Sequence, residues 1–253
     1  MSLLSRLDRR LKTFNPMSEP LLRHTWVVLR ALWFIRIRRR LQTQDSPHAL
    51  RANLMHNLKS VYSANPRMHL LLYPLATIET LGRDARILVI GPRNEYDLFT
   101  LVGLGFSLER IRGLDLISYS PTIDVGDMHA MRFEDGSFDA VVCGWTLSYS
   151  IEPSRAAAEI ARVVRPGGIV AIGVEYSTVD AQTQVQLLGY ELQEFDKLAR
   201  RINSTADIRA LFGAQVGHVY FDHDAPRKRS HGGQGTVADV SNVALVFERS
   251  APA

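Results

Sequence analysis

The amino-acid sequence predicts an α/β protein with a doubly wound sheet of seven mostly parallel strands, an antiparallel last strand and a helical N-terminal extension. Apolar residues dominate positions 138–145 and 169–174, which is typical of strands buried on both faces. Between them, residues 152–165 place apolar side chains at helical spacing, and Pro153 suits the first turn of a helix. A strand, helix and strand of this length form one right-handed parallel unit.

Further elements follow from the same periodicities. We predict helices at 46–64, 68–81, 181–202 and 206–212, and strands at 86–90, 111–116, 123–126, 216–221 and 242–248. Between the last two strands lies a polar loop, residues 222–241, with a basic triplet at 227–229. A loop of this length inside a domain is typically functional or disordered.

The charge is distributed unevenly along the 253 residues. Residues 1–60 contain 12 Lys and Arg against 3 Asp and Glu, whereas the remainder contains 18 against 23. We therefore predict a basic helical extension at 1–65 and a main domain at 66–253. The single cysteine, Cys143, excludes an intrachain disulfide and is consistent with a cytoplasmic protein.

The extension contains an unusual segment, residues 21–42. It is apolar around nearly the whole helix circumference, but arginines interrupt it, and no uninterrupted apolar run in it is long enough for a membrane span. Trp26 and Trp33, next to four arginines at 36–40, suit a helix lying at an anionic lipid surface. Alternatively the helix packs on its own domain or on a second subunit of a homodimer. The sequence leaves peripheral membrane contact and protein packing both open.

Three stretches resemble a known family. They are Gly126-Asp127-Met128, the run RFEDGSFD at 132–139 and the run EIARVVRPGG at 159–168. Together they resemble the second half of class I S-adenosylmethionine-dependent methyltransferases of the methyltransferase type 11 kind. The resemblance covers roughly residues 86–175 and, more weakly, the rest of the chain. It implies a Rossmann-like fold and S-adenosylmethionine as the cofactor.

The turn after the first strand of the domain departs from the family pattern. The family has an acid two residues before the first glycine and glycines at alternate positions after it. This chain keeps Gly91, but has Val89, Arg93 and Glu95 at the other positions. We predict that Gly91, Pro92 and Arg93 form a degenerate version of the cofactor-binding turn.

Four further residues are predicted to contact the cofactor. Asp115 is expected to accept the ribose hydroxyls, and the resemblance implies that Asp127 binds the adenine amino group with Met128 against the ring. Trp145 would face the sulfonium through a cation–π contact. A solvated loop acid is the alternative for Asp115, and core packing is the alternative for Met128 and Trp145.

The acceptor side is expected to use a base. Glu175 follows the fifth strand and is the first candidate for substrate contact or general base; His223 and His231, in the loop, are the others. The alternative for the loop is a mobile solvated segment. No zinc signature is present, and we predict no metal site.

These observations predict a methyltransferase acting on a small-molecule, sugar or lipid-linked acceptor, most simply at oxygen. The chain has no Asn-Pro-Pro-aromatic or Asp-Pro-Pro-aromatic tetrapeptide, which argues against methylation of nucleic-acid amines. The degenerate turn favours one alternative, a non-catalytic methyltransferase-like fold that acts as a partner or scaffold. An RNA-associated methyltransferase is less favoured.

Overall fold

The computed structural model describes residues 15–47, 58, 60–64, 66–177, 202–224 and 240–251. The predicted helix at 181–202, most of the predicted helix at 46–64 and most of the 222–241 loop, including His231, lie outside these ranges. The boundary at residues 65 and 66 stays a prediction.

A seven-stranded sheet forms the centre of the protein. Its strands are β2 (Ile87–Ile90), β3 (Ile111–Asp115), β5 (Ile123–Val125), β6 (Phe138–Gly144), β7 (Val164–Ser177), β8 (Val216–His223) and β9 (Val240–Arg249). Their order in the sheet is β5-β3-β2-β6-β7-β9-β8. Five of them, β5, β3, β2, β6 and β7, pair in parallel, and β9 runs antiparallel to both β7 and β8. This confirms the predicted fold class and the antiparallel last strand.

Helices cover both faces of this sheet. The helices are α1 (Pro20–Leu32), α2 (His69–Leu75), α3 (Tyr96–Gly103), α4 (Pro153–Val163) and α5 (Thr205–Phe212). In β2, Leu88 and Ile90 pack in the cluster with α4 and α5, whereas Ile87 and Val89 pack in the cluster with α2 and α3. Alternate residues of β2 therefore pack in two different hydrophobic cores. A strand buried on both faces in this way is apolar along its whole length and lacks the polar alternation of a half-exposed strand.

Two predicted boundaries are wrong. The helix predicted at 68–81 ends at Leu75, because Pro74 cannot donate a backbone hydrogen bond. After it, Ala76, Thr77 and Ile78 donate to the carbonyls three residues earlier.

The second correction concerns the helix predicted over residues 152–165, which ends at Val163, and the residues that follow it at 166–168 (Pro-Gly-Gly). They lie inside β7, where Val164 pairs with Phe138 and Ile169 pairs with Ala140. Five steps along β7 therefore match two along β6, so these residues form an irregularity within the strand.

The N-terminal extension packs on the domain through one side of α1. Arg23, Val27 and Ala31 are buried there, and a π-helical turn (Trp33–Ile37) continues the helix. A short strand, β1 (Gln42–Thr43), then pairs antiparallel with β4 (Ile117–Ser118). Among the residues that the structure describes, no helix has the length and apolar character needed to cross a membrane.

An ion pair fixes α1 to the turn between β2 and α3. Arg30 donates from Nε and Nη2 to Glu95 Oε2 and Oε1 at 2.7 and 2.8 Å. Glu95 is fully buried and also accepts from Ser120 at 2.5 Å and Thr122 at 3.0 Å. Removing one partner of a buried pair of this kind costs about 3–5 kcal/mol, so the contact is a strong constraint on the extension.

Candidate functional site

The turn that follows β2 lies in close contact with the Thr146 side chain. Gly91 has a φ of 70°, and a Cβ atom there would lie 1.8 Å from Thr146 Oγ1. Only glycine fits this position. Arg93 stands where the family has a glycine, but it still adopts a φ of 59°. Its amide donates to Asp115 Oδ2 at 2.8 Å, which helps to offset the cost of that conformation.

A narrow pocket opens above this turn, at the carboxyl ends of the parallel strands. Its cavity volume is about 30 Å³. The lining residues are Ile90, Gly91, Leu114, Asp115, Leu116, Gly126, Asp127, Met128, His129, Thr146 and Tyr149. The structure thus brings Gly91, Asp115, Asp127 and Met128 together, as ligand sites in doubly wound sheets require. Pro92, Arg93 and Trp145 do not line this pocket.

Asp115 ends β3 as a buried acid held by backbone amides. Oδ2 accepts from the Arg93 amide and Oδ1 accepts from the Ile117 amide at 3.2 Å. Burial raises the pKa of Asp115 to about 6, although these amides and the Arg93 charge act in the opposite direction. Each oxygen keeps further acceptor capacity, which a pair of hydroxyls could use.

Asp127 lies on the other side of the pocket in a hydrogen-bond chain. Its Oδ1 accepts from the His129 amide at 2.9 Å and lies 2.5 Å from His129 Nδ1, while the Ser46 hydroxyl donates to Oδ2. Burial opposes ionisation, but the hydrogen bonds from His129 and Ser46 outweigh it and hold the pKa of Asp127 well below its usual range. Asp127 is therefore an anion at neutral pH.

The chain continues to Ser150, whose Oγ lies 2.6 Å from His129 Nε2. The order Asp, His, Ser is that of a hydrolase triad. However, Ser150 is only 3% exposed, and its oxygen accepts the amide of Glu152 at the start of α4. A nucleophile must reach its substrate, so His129 and Ser150 orient Asp127 instead.

Trp145 lies beside the pocket in a strained conformation, with a φ of 60° and 2% exposure. The Arg67 guanidinium carbon lies 4.7 Å from the centroid of its ring and also forms an ion pair with Glu175. Arg67 therefore lies over one face of the aromatic ring. The contact of Trp145 with a sulfonium stays a prediction.

The candidate bases Glu175 and His223 lie on different strands of the sheet. Glu175 lies on β7, two strands from Gly91. His223 ends β8 opposite Ala244 of β9, four strands from β2 and so roughly 19 Å from it across the sheet. The structure does not bring His223 to the pocket, and His231 lies outside the described residues. Their catalytic roles stay predictions.

Several residues of the site had no strong signal in the sequence. Ser46, Arg67 and Ser150 come from distant segments, and only the folded chain brings them to Asp127 and Glu175. His129 could have been found, because it lies two residues after Asp127. Thr146 could not, since its role is to approach Gly91.

Part of the chain matches a known family. Residues 102–172 match the model of a family described as a methyltransferase domain. The match covers less than a third of the chain, and this segment is similar to a methyltransferase domain. The family implies S-adenosylmethionine as the cofactor.

The methyltransferase fold recurs in solved structures. A chain from the complex between the Haloferax volcanii Trm112 methyltransferase activator and a methyltransferase is 18% identical, with a TM-score of 0.57 over 81% of this chain and 99% of that chain. A chain named as a sarcosine dimethylglycine methyltransferase of Galdieria sulphuraria is 16% identical, with a TM-score of 0.52 over 79% and 98%. The cyclase SpnF is 15% identical, with a TM-score of 0.53 over 83% and 99%. These likenesses show the fold.

One curated relative matches part of this chain. It is an uncharacterized 37.1 kDa protein in transposon TN4556 of Streptomyces fradiae, 39% identical over 103 residues. The match covers 40% of this chain and 28% of the relative, so the chain spans about a quarter of that relative's length.

A second buried acid, Asp97, lies in the first turn of α3. It is 5% exposed, and its carboxylate forms no hydrogen bond or ion pair in the part of the chain that the structure describes. Burial raises the pKa of Asp97 to about 7, against the attraction of Arg93, Arg67 and Arg23. The unfolded chain loses this proton near pH 4, so between about pH 4 and 7 the folded protein binds the proton more tightly.

We predict that Asp97→Asn changes the pH dependence of stability. The contribution of the protonated Asp97 to stability is complete below pH 4 and is lost as the pH rises to 7. At pH 8 the variant should therefore be more stable than the wild type by about 2–4 kcal/mol, and at pH 4 the two should be similar. Urea unfolding across this range measures the difference. Asp124→Asn, which removes an exposed ion pair with Arg112, is the control. The prediction would be contradicted if the free energy of unfolding changed with pH equally in Asp97→Asn and the wild type.

Proposed function

We propose that the protein transfers a methyl group from S-adenosylmethionine to an oxygen atom of a small-molecule, sugar or lipid-linked acceptor. The observation on which this rests is that two buried carboxylates, Asp115 and Asp127, line one pocket above the Gly91 turn. The match of residues 102–172 to a methyltransferase domain supports the reaction class. The acceptor class and the oxygen atom are inferences from the sequence, as is a cytoplasmic location.

The hydrogen-bond acceptors of the pocket suit an adenosyl group. The bound cofactor supplies a methyl group that a sulfonium already activates, so the protein has to align the reactants and exclude water. In this proposal Asp115 accepts the ribose hydroxyls, Asp127 accepts from the adenine amino group and Met128 contacts the ring. Gly91 lines the pocket beside them.

Binding requires a local rearrangement, because the pocket is narrow and Ser46 already donates to Asp127 Oδ2. The Ser46 hydroxyl has the same hydrogen-bond role toward Asp127 that we assign to the adenine amino group. We therefore infer that the segment after β1 withdraws from Asp127 when the cofactor binds.

A hydroxyl acceptor needs a group that takes its proton. Glu175 is the first candidate, since its side chain is 18% exposed at the end of β7 and is oriented by Arg67. His223 and His231 remain the other candidates. His223 ends β8, away from the pocket, and a role for His231 would need the loop between β8 and β9 to approach the pocket.

A second candidate function is a methyltransferase-like fold without catalysis, which acts as a partner or scaffold. Two observations favour this alternative. The pocket is too narrow for a nucleoside to enter without rearrangement, and Ser46 already occupies Asp127.

We predict that the wild-type protein binds S-adenosylhomocysteine in isothermal titration. Asp115→Asn should weaken binding at least tenfold, or about 1.4 kcal/mol, because an amide cannot accept two hydroxyls as the carboxylate does. Asp124→Asn on the neighbouring strand should bind like the wild type. No heat of binding at millimolar ligand would contradict the catalytic proposal and favour the scaffold.

We predict that Glu175→Gln lowers methyl transfer about 100-fold or more without changing the affinity for S-adenosylhomocysteine, because it removes only the base. The measurement is transfer of labelled methyl groups from S-adenosylmethionine to the small molecules and lipids of a cell extract. Glu134→Gln, at an exposed acid, is the control, and His223→Ala and His231→Ala test the other candidates. If none of the three variants loses tenfold, the base assignments are wrong.

A further inference from the structure

The N-terminal extension exposes an apolar surface that the domain does not cover. In the described ranges nine large apolar side chains are exposed, and all but Tyr73 lie between residues 21 and 41. They are Leu21, Leu22, Trp26, Leu29, Leu32, Trp33, Ile37 and Leu41. We call these eight side chains the exposed face. Apolar side chains concentrated in this way mark an interaction surface, whereas scattered ones do not.

The exposed face and the packed face of α1 lie on opposite sides of the helix. At about 100° per residue, Leu22, Trp26, Leu29 and Trp33 form one stripe, and Val27 and Ala31 lie roughly across the helix from it. Val27 and Ala31 are 1% and 0% exposed, whereas Trp26 and Trp33 are 45% and 54% exposed. Packing on the domain therefore accounts for only one side of this helix.

The charge of the segment has one sign. Between Pro20 and Gln44 there are six arginines and no acidic residue. Two of them face the domain: Arg23 donates to Tyr96 Oη at 3.2 Å and Arg30 binds Glu95. The other four, Arg36, Arg38, Arg39 and Arg40, are exposed at the end of the exposed face.

We propose that the exposed face docks on the surface of an anionic lipid bilayer. Indole rings favour the interface between hydrocarbon and headgroups, and arginines at its edge attract anionic lipids. A second copy of this segment would offer no acidic residue between Pro20 and Gln44 to pair with the four arginines. Charge complementarity thus selects an anionic partner, and the continuous apolar stripe selects one with a hydrocarbon interior.

Docking in this way would place the pocket near the lipid surface. The helix is tied to the β2–α3 turn through Arg30 and Glu95, and the chain continues from it to β1 and to Ser46 on Asp127. Docking does not depend on methyl transfer, and it would occur equally in a protein without catalysis.

The test is co-sedimentation of the full-length protein with vesicles of phosphatidylcholine alone and of phosphatidylcholine mixed with phosphatidylserine. We expect sedimentation with the mixed vesicles, weakened by added salt. The double variant Trp26→Ser/Trp33→Ser should lose at least tenfold in binding, as should the triple variant Arg38→Gln/Arg39→Gln/Arg40→Gln. Circular dichroism establishes that each variant is folded.

Two control variants lie outside the exposed face. Tyr73→Ser removes the one exposed large apolar side chain of the described residues outside it, and Arg132→Gln removes an exposed arginine of the domain. Both should bind like the wild type. Failure of the wild type to sediment with mixed vesicles, or equal binding to both vesicle types, would overturn the proposal. So would a dimer in light scattering that the tryptophan variant dissociates, since a second copy would then cover the face.

Discussion

The turn from Gly91 to Glu95 is the constraint on which both the site and the extension depend. Gly91 approaches Thr146 so closely that no side chain fits, and the Arg93 amide holds the Asp115 carboxylate. Asn94 donates to the carbonyls of Val61 and Ser63, and Glu95 binds Arg30. One backbone conformation therefore orients an acid of the pocket and ties down two segments of the N-terminal extension. The glycines that the family has at positions 93 and 95 could not form the Glu95 contact.

This turn also explains why the extension reaches the pocket. Once α1 is fixed by Arg30, the chain returns along the sheet edge, and β1 pairs with β4 just beyond Asp115. Ser46 then contacts Asp127. The result is a pocket whose two acids are held in different ways, Asp115 by backbone amides and Asp127 by side chains. Side chains can exchange partners at lower cost than backbone amides, so Asp127 is the part of the site that can adapt to a ligand.

The fold could be predicted because strands buried on both faces have a strong signal in the sequence. The runs 138–145 and 169–174 have little polar alternation, and the residues between them have helical spacing. Few folds other than a parallel strand–helix–strand unit fit this pattern. The boundaries were weaker where one residue overrides the periodicity. Pro74 ends α2 early although apolar residues continue, and the Pro-Gly-Gly of residues 166–168 is absorbed as an irregularity in β7. The site could be predicted only where its residues follow strands, as Gly91, Asp115 and Asp127 do. Residues from other segments, such as Ser46 and Arg67, reach it through tertiary packing that no local pattern records.

The central claim is that an adenosyl group can enter between Asp115 and Asp127. A crystal structure of the protein grown with S-adenosylhomocysteine tests it most directly. The account predicts that the ribose contacts Asp115, that the adenine contacts Asp127, and that Ser46 has left Asp127. A structure in which Ser46 still donates to Asp127 and the ligand is absent from the pocket, or bound elsewhere, would contradict it.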